Sequence, residues 1–422
     1  MVNVGTGTRA VERCNELGVA PFSDLPGALY RAYLTPAHAA ALTQTAIWMS
    51  EAGMTVRLDS AANLIGRYEA KLADAPALLI ASHIDSVRNA GRYDGPLGIM
   101  LGIECVARLN SEERRLPFAI EVIAFGDEEG SRFPESMLCS RAIAGVLKSG
   151  AAEVKDPAGV SVAEALRTFD VVPDLKRPDE DLSASKYQPK DVIGYLEAHI
   201  EQGPVLESEG LSVGVVSGIA AQLRFNVFVS GEAGHAGTAA MHLRKDALAG
   251  AAEMLIAVEH VAREGGTELV ATVGQLEVRP GSVNVVPGQV RFSLDIRSGS
   301  VAVRDAAAYR IFEAFEAIAA NRGLGITKEQ TQDLPASPCD AQLTSLLEVA
   351  MEQAGYPKRT LVSGAGHDAM VMSALCPTAM LFIRCEKGIS HNPAEAVTAI
   401  DADAALAVMT NFLNLLESRY NG

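Results

Sequence analysis

Two short apolar runs constrain this chain most: "ALLIAS" at residues 77–82 and "AIEVIAF" at residues 119–125. Each is short, dominated by apolar residues and bounded by polar ones, so each reads as a strand, the first of them buried. Residues 98–109 between them carry a helical pattern, and "TPAHAA" from Thr35 opens an earlier helix with Pro36 in its first turn. Strands alternating with helices predict an α/β domain whose sheet is mostly parallel, with helices on both faces.

The second run ends in "GDEEG", where Asp127, Glu128 and Glu129 stand side by side. Neighbouring carboxylates repel, more so away from water, so the three either face solvent as an ordinary turn or share a bound cation. The rest of the chain has to choose between these.

Near residue 211 the rhythm changes. Strands are predicted at 213–216 and 224–230, a helix at 244–263, strands at 269–278 and 289–297, and a helix at 303–321. This β-α-β-β-α order predicts a ferredoxin-like α+β layer. After residue 335 the α/β rhythm resumes with a helix at 341–354, the turn and helix of "SGAGHDAMVMSAL", a strand at 379–384 and a helix at 402–416. A length of 422 residues suits two domains. The predicted division is a discontinuous catalytic domain, residues 1–211 and 331–422, with residues 212–330 inserted as a lid. The Pro- and charge-rich residues 156–191 are expected at the surface.

A net charge of −16 without a basic stripe argues against nucleic-acid or anionic-membrane partners. No stretch reads as a leader or as long and apolar enough to span a bilayer, which predicts a cytoplasmic protein. The six cysteines form no C-x-x-C pair and read as reduced, buried thiols. Neither a dinucleotide fingerprint nor a P-loop occurs.

In open parallel sheets, ligand-binding groups gather on loops at the carboxyl ends of strands. Four segments supply His, Asp or Glu there: "ASHIDSVRNAGRYDGPLG", "GDEEGSRF", "LEAHIEQGP", read as a loop, and "GISHNPAE". Such a set suits a two-metal hydrolase, in which one carboxylate bridges two divalent ions. Of the paired acids, one then binds metal and its neighbour takes a proton from water.

Together with "GEAGHAGT", "VNVVPG", "DIRS" and "SGAGHDA", these segments resemble the M20 peptidase-like amidohydrolases, in particular the ureido-acid branch. That branch comprises allantoate amidohydrolases, N-carbamoyl-L-amino-acid hydrolases and β-ureidopropionases. The resemblance implies His83 and His199 as ligands of one metal, Glu129 and His391 as ligands of the other, Asp94 as the bridge and Glu128 as general base. It also implies that Asp85 accepts a hydrogen bond from His83 and fixes its tautomer. From the lid it implies His235 at the oxyanion, with Asn284 and Arg297 receiving the substrate carboxylate. Gln202 and the backbone of Gly364, Ala365 and Gly366 complete the pocket. Ala240 stands where the family pattern has Pro.

The expected cofactors are two divalent ions per subunit: zinc, manganese or cobalt. The expected substrate is a small ureido acid, ranked as allantoate, then N-carbamoyl-L-amino acids, then β-ureidopropionate. Arg88, Asn89 and Gln202 are polar candidates for allantoate's second arm. A homodimer through the lid, and closure of that lid on substrate, are expected as well. His38, His242 and His260 read as structural, Asp127 as support for its loop, and Met370 and Met372 as core. His367 either touches substrate or holds its turn. The competing chemistry is a metal-free thiol amidase with Cys139 or Cys385 as nucleophile.

Overall fold

The structure is a computed structural model that describes residues 5–170, 175, 177 and 181–420. It divides into two compact units: Met1–Ser217, Cys339–Leu361 and Gly366–Gly422 form one, Gly218–Pro338 and Val362–Ala365 the other.

The sheet of the first unit runs in the order Thr55–Leu58, Leu64–Tyr68, Ala119–Phe125, Ala77–His83, Val192–Ile200, Thr378–Ile383, Val213–Ile219. Its four central strands, Ala119–Phe125 through Thr378–Ile383, are mutually parallel, and antiparallel strands flank them on either side. "ALLIASH" and "AIEVIAF" are buried at every position, as continuous apolar runs in a parallel core require. Val192–Ile200 was read as part of a loop because Glu197 and His199 interrupt its apolar run. It is in fact a buried strand at the centre of the sheet.

Helix Pro96–Ser111 packs on three of the parallel strands and is buried almost all round. Its close approach depends on Gly98, where a Cβ would lie 2.1 Å from the carbonyl oxygen of Ala198. Helix Ala399–Tyr420 is, against the sequence expectation, long and apolar enough to cross a membrane, but it is a core helix. Leu406, Met409, Phe412 and Leu413 are buried as it packs on Gly7–Leu17, Pro96–Ser111 and Ala341–Gln353. Within residues 156–191, Val162–Thr168 is a helix capped by Ser161 and Glu164, with Val162, Ala165 and Leu166 buried. Residues 171–174, 176 and 178–180 of that segment lie outside the described residues.

The second unit is a five-stranded antiparallel sheet: Leu276–Arg279, Gln289–Ser298, Ala221–Ser230 and Gly325–Leu334 in order, with Leu269–Thr272 also on Gln289–Ser298. Helices Ala247–Glu264 and Val301–Arg322 pack on it around Phe292, Ile311 and Phe315. The strand expected over 269–278 is two strands, parted near Gly274. Gly325–Leu334 escaped the sequence reading because "GITKEQTQDL" is polar and mostly exposed. The first strand of the lid region, Val213–Ile219, hydrogen-bonds to Thr378–Ile383, so residues 213–217 belong with the first unit rather than the second.

Candidate metal centre

The carboxyl ends of all four parallel strands carry the chemistry. His83 closes Ala77–His83, Asp127 to Glu129 follow Ala119–Phe125, His199 precedes the last residue of Val192–Ile200, and His391 lies in the loop after Thr378–Ile383. Ala77–His83 has its sequence-neighbour strand on one side and Val192–Ile200 on the other, the strand-order switch where α/β sheets bind ligands. Asp94 arrives through "YDGPLG": Gly95 at φ 86 turns the chain so tightly that a Cβ there would lie 2.5 Å from His83 Cε1.

Three groups of ligand atoms converge: His83, Asp94 and His199; Asp94, Glu129 and His391; and His83, Glu128 and Glu129. Asp94 faces both ways. Its Oδ1 lies 3.1 Å from His199 Nε2 and 3.5 Å from His83 Nε2, while its Oδ2 lies 3.5 Å from His391 Nε2. His391 Nε2 is also 3.4 Å from Glu129 Oε1. Gln202 Nε2 donates to Asp94 Oδ2 at 2.7 Å, and the Ser390 hydroxyl donates to the same oxygen.

This donor set fits divalent ions. His199 Nδ1 lies 2.9 Å from the Ile200 carbonyl and His83 Nδ1 3.2 Å from the Asp85 carbonyl. If those nitrogens carry the ring protons, both Nε2 lone pairs point inward, 3.4 Å apart. Asp94 Oδ1, fully buried, has no hydrogen bond in that space. Two lone pairs and an anionic oxygen at such separations repel unless positive charge lies among them. The acids show the same surplus. Burial, with Asp94 and Asp85 nearby, raises Glu129 to about 8 despite the opposing His83. Burial beside Glu129, Asp368 and Asp85 pushes Glu128 well above the carboxylate range. Asp94 moves the other way: positive charge supplied by His199 and His83 when they carry a second proton outweighs its burial and holds it well below that range.

The floor is closed and the mouth open: His83, His199 and Asp94 are buried, whereas the His391 side chain is 49% exposed. Asp85 has a larger task than the sequence suggested. Its carboxylate accepts the backbone N–H groups of Glu128 and Glu129, each at 3.1 Å, and lies 3.5 Å from His83 Nδ1. Asp85 therefore orients the acid pair and the imidazole together. Gln202, expected at the substrate, donates to the Asp94 carboxylate. His367 is buried with its ring 4.5 Å from that of His199, edge to face, so it packs against that imidazole. Arg88 is exposed, its guanidinium 5.4 Å from the ring of Tyr30. Asp127 is buried.

Residues that sequence reasoning missed include Arg31, Ser390 and Glu395. Buried Arg31 donates to the carbonyls of Ile84, Leu17 and Phe22 and so clamps the backbone between His83 and Asp85. Nothing local marks it. Ser390 and Glu395 lie inside "GISHNPAE", where polar residues one before and four after His391 were the available signal.

In the second unit, His235 and Val285 pair in a short antiparallel ladder beside Asn284, whose carbonyl accepts from the Ala236 N–H. His235 Nδ1 accepts from the Gly237 N–H at 3.1 Å, which leaves Nε2 as the protonated, donating nitrogen. Ala240 has φ −61 and ψ 140, the conformation a proline imposes. Arg297 is bound through Nε and Nη2 to Asp295, both at 2.9 Å, and through Nη1 to the Gly364 carbonyl. The Ala365 N–H is engaged by Ser363 Oγ.

The thiols are poor nucleophiles: Cys139 and Cys385 are buried, and burial pushes Cys385 up to about 11 and Cys139 well above the usual thiol value. His38 is buried, while His242 is exposed and His260 pairs with Glu264 on one helix.

The profile of peptidase family M20/M25/M40 matches residues 79–415. The chain is 41% identical over 403 residues to an N-carbamoyl-L-amino acid amidohydrolase of Geobacillus stearothermophilus, covering 96% of this chain and 97% of that one. It is 40% identical over 433 residues to an allantoate deiminase of Arabidopsis thaliana, covering 96% and 81%. Among solved structures, a hydantoinase/carbamoylase family amidase from Burkholderia ambifaria superposes with a TM-score of 0.89 at 33% identity, over 98% of each chain.

Proposed function

The chain belongs to peptidase family M20/M25/M40 and is an amidohydrolase, and from that premise we propose that it hydrolyses the ureido group of a small carboxylic acid, with allantoate as substrate. The observation that carries this reading is the Asp94 carboxylate, whose two oxygens face two separate sets of ligand atoms. His83, Asp94 and His199 would hold one divalent ion, and Asp94, Glu129 and His391 the other. Such ions supply Lewis-acid polarisation of a carbonyl and a lowered pKa for water.

Glu128, oriented through its backbone by Asp85, takes the proton of the attacking water and passes it to the leaving nitrogen. His235 donates from Nε2 to the oxyanion of the tetrahedral intermediate. Arg297, fixed by Asp295, receives the substrate carboxylate on its remaining edge, with Asn284 and the Gly364 to Gly366 backbone beside it. Ammonia leaves, and the carbamate decomposes to carbon dioxide and an amine. Arg88 and Asn89, both exposed, meet allantoate's second ureido arm. Two copies pair through the second unit, where Met241 is 76% exposed and Val283 entirely so. Sedimentation giving an active monomer would refute that pairing.

N-carbamoyl-L-amino acids are the second reading, favoured by the 41% identity to an enzyme named for them. Ammonia release from zinc- or manganese-loaded protein, compared between allantoate and a panel of N-carbamoyl-L-amino acids, decides between the two. The larger kcat/KM for allantoate is expected. A larger value for an apolar carbamoyl amino acid overturns the ranking, and full turnover by chelator-treated, metal-free protein overturns the mechanism.

A further inference from the structure

We propose that Glu395 is the positioning residue of the second metal position, tying the loop of the bridging Asp94 to the loop of His391. The proposal rests on the two-ion reading above. Glu395 is only 5% exposed, and its Oε1 accepts the backbone N–H groups of Tyr93 at 2.7 Å and Asp94 at 3.1 Å. The fit is close. A Cβ on Gly91 would lie 2.2 Å from the Glu395 carboxyl carbon, so a residue larger than glycine there displaces the carboxylate.

The two metal positions differ in what supports them. His83 and His199 stand on strands buried in the middle of the sheet. His391 has neither helix nor strand beneath it, is half exposed, and sits in the left-handed region at φ 54. A non-glycine residue is strained there and persists only where its surroundings impose it. The imposing structure is the turn that follows. Asn392 Oδ1 accepts the Ala394 N–H at 2.9 Å, the Asn392 carbonyl accepts the Glu395 N–H at 3.0 Å, and the Ala396 carbonyl accepts the Glu386 N–H at 2.8 Å. Glu395 ends that turn, and its carboxylate pins it to the backbone of the very residue that must share a metal with His391. Without this carboxylate two buried N–H groups lose their acceptor, and the distance from Asp94 to His391 is no longer fixed. His83 and His199 keep their places on the strands, so the first ion, although it shares Asp94, loses less than the second.

The test is zinc binding to metal-free protein, by competition calorimetry and elemental analysis after dialysis. Wild type is expected to take two ions per chain. Glu395→Leu, which removes the acceptor, and Glu395→Asp, which keeps the charge but shortens the reach, should each keep the first ion and bind the second about 10- to 100-fold more weakly. Glu395→Gln, which retains an oxygen for both N–H groups, should bind both. One tight ion in the Leu and Asp variants also shows that their fold survives. Two ions bound at wild-type affinity by both variants, or equal weakening of the two ions, overturns the proposal. Fewer than two ions in wild type removes the two-ion reading and this proposal with it.

Discussion

Replacing His38 by Asn should remove a defined part of the protein's sensitivity to acid. His38 is fully buried in helix Pro36–Glu51. Its Nδ1 accepts the Leu34 N–H at 3.1 Å, and its ring stacks 5.2 Å from that of Phe169. It also lies under the acid-bearing loop, since a Cβ on Gly126 would be 3.0 Å from its Cε1. Burial, with Arg31 adding to it, holds the imidazole down from 6.5 to about 3. The folded state therefore prefers the neutral ring. The stability this contributes is complete above pH 6.5 and is lost as pH falls towards 3. At about 1.4 kcal/mol per pH unit the full effect is about 5 kcal/mol, of which about 2 kcal/mol falls between pH 7 and pH 5. Asn keeps an oxygen near Nδ1 for the Leu34 N–H but does not titrate. The assay is urea unfolding of chelator-treated protein at pH 7, 6 and 5, followed by fluorescence of Trp48, the chain's single tryptophan, on the same helix. The variant should be less stable at pH 7, because the stacked ring is gone, yet lose about 2 kcal/mol less on going to pH 5. An identical pH slope in the two proteins would refute the reasoning.

Glu128→Gln should lower kcat by about 10²- to 10⁴-fold while leaving zinc content at the wild-type level, because it removes the proton acceptor and no ligand; loss of an ion on elemental analysis would reassign Glu128 as a ligand. Arg297→Ala should raise KM for a carboxylate-bearing substrate by about 10- to 100-fold with little change in kcat, as expected for a charge-assisted bond worth roughly 1.5–3 kcal/mol. An unchanged KM would place the carboxylate elsewhere. Gly95→Ala forces a side chain into φ 86 and against His83 Cε1, so thermal unfolding and zinc calorimetry should show a destabilised protein with weakened first-ion binding. Wild-type values for both would mean that the turn relaxes freely.

What the sequence determined by itself are the features written in local chemistry. Short runs dominated by apolar residues and alternating with helical patterns fit buried strands, and so "ALLIASH" and "AIEVIAF" pointed to a parallel core. Adjacent acids after such a run, with histidines in comparable segments, announced a cation site. Where a run was broken by its own chemistry, local pattern failed: Glu197 and His199 disguised a central strand, and polar side chains disguised Gly325–Leu334, whose ladder bonds are made by backbone. Only the tertiary structure decided who serves whom. Asp85 turned out to hold the backbone of Glu128 and Glu129, and Gln202 to bind the Asp94 carboxylate. Arg31 clamps Ile84 from 53 residues away, and Glu395 reaches Asp94 across 301. Contacts over such separations depend on strand order and loop closure, which no local pattern encodes. Residue type fixes what a side chain can do, and the fold fixes which partner lies within reach.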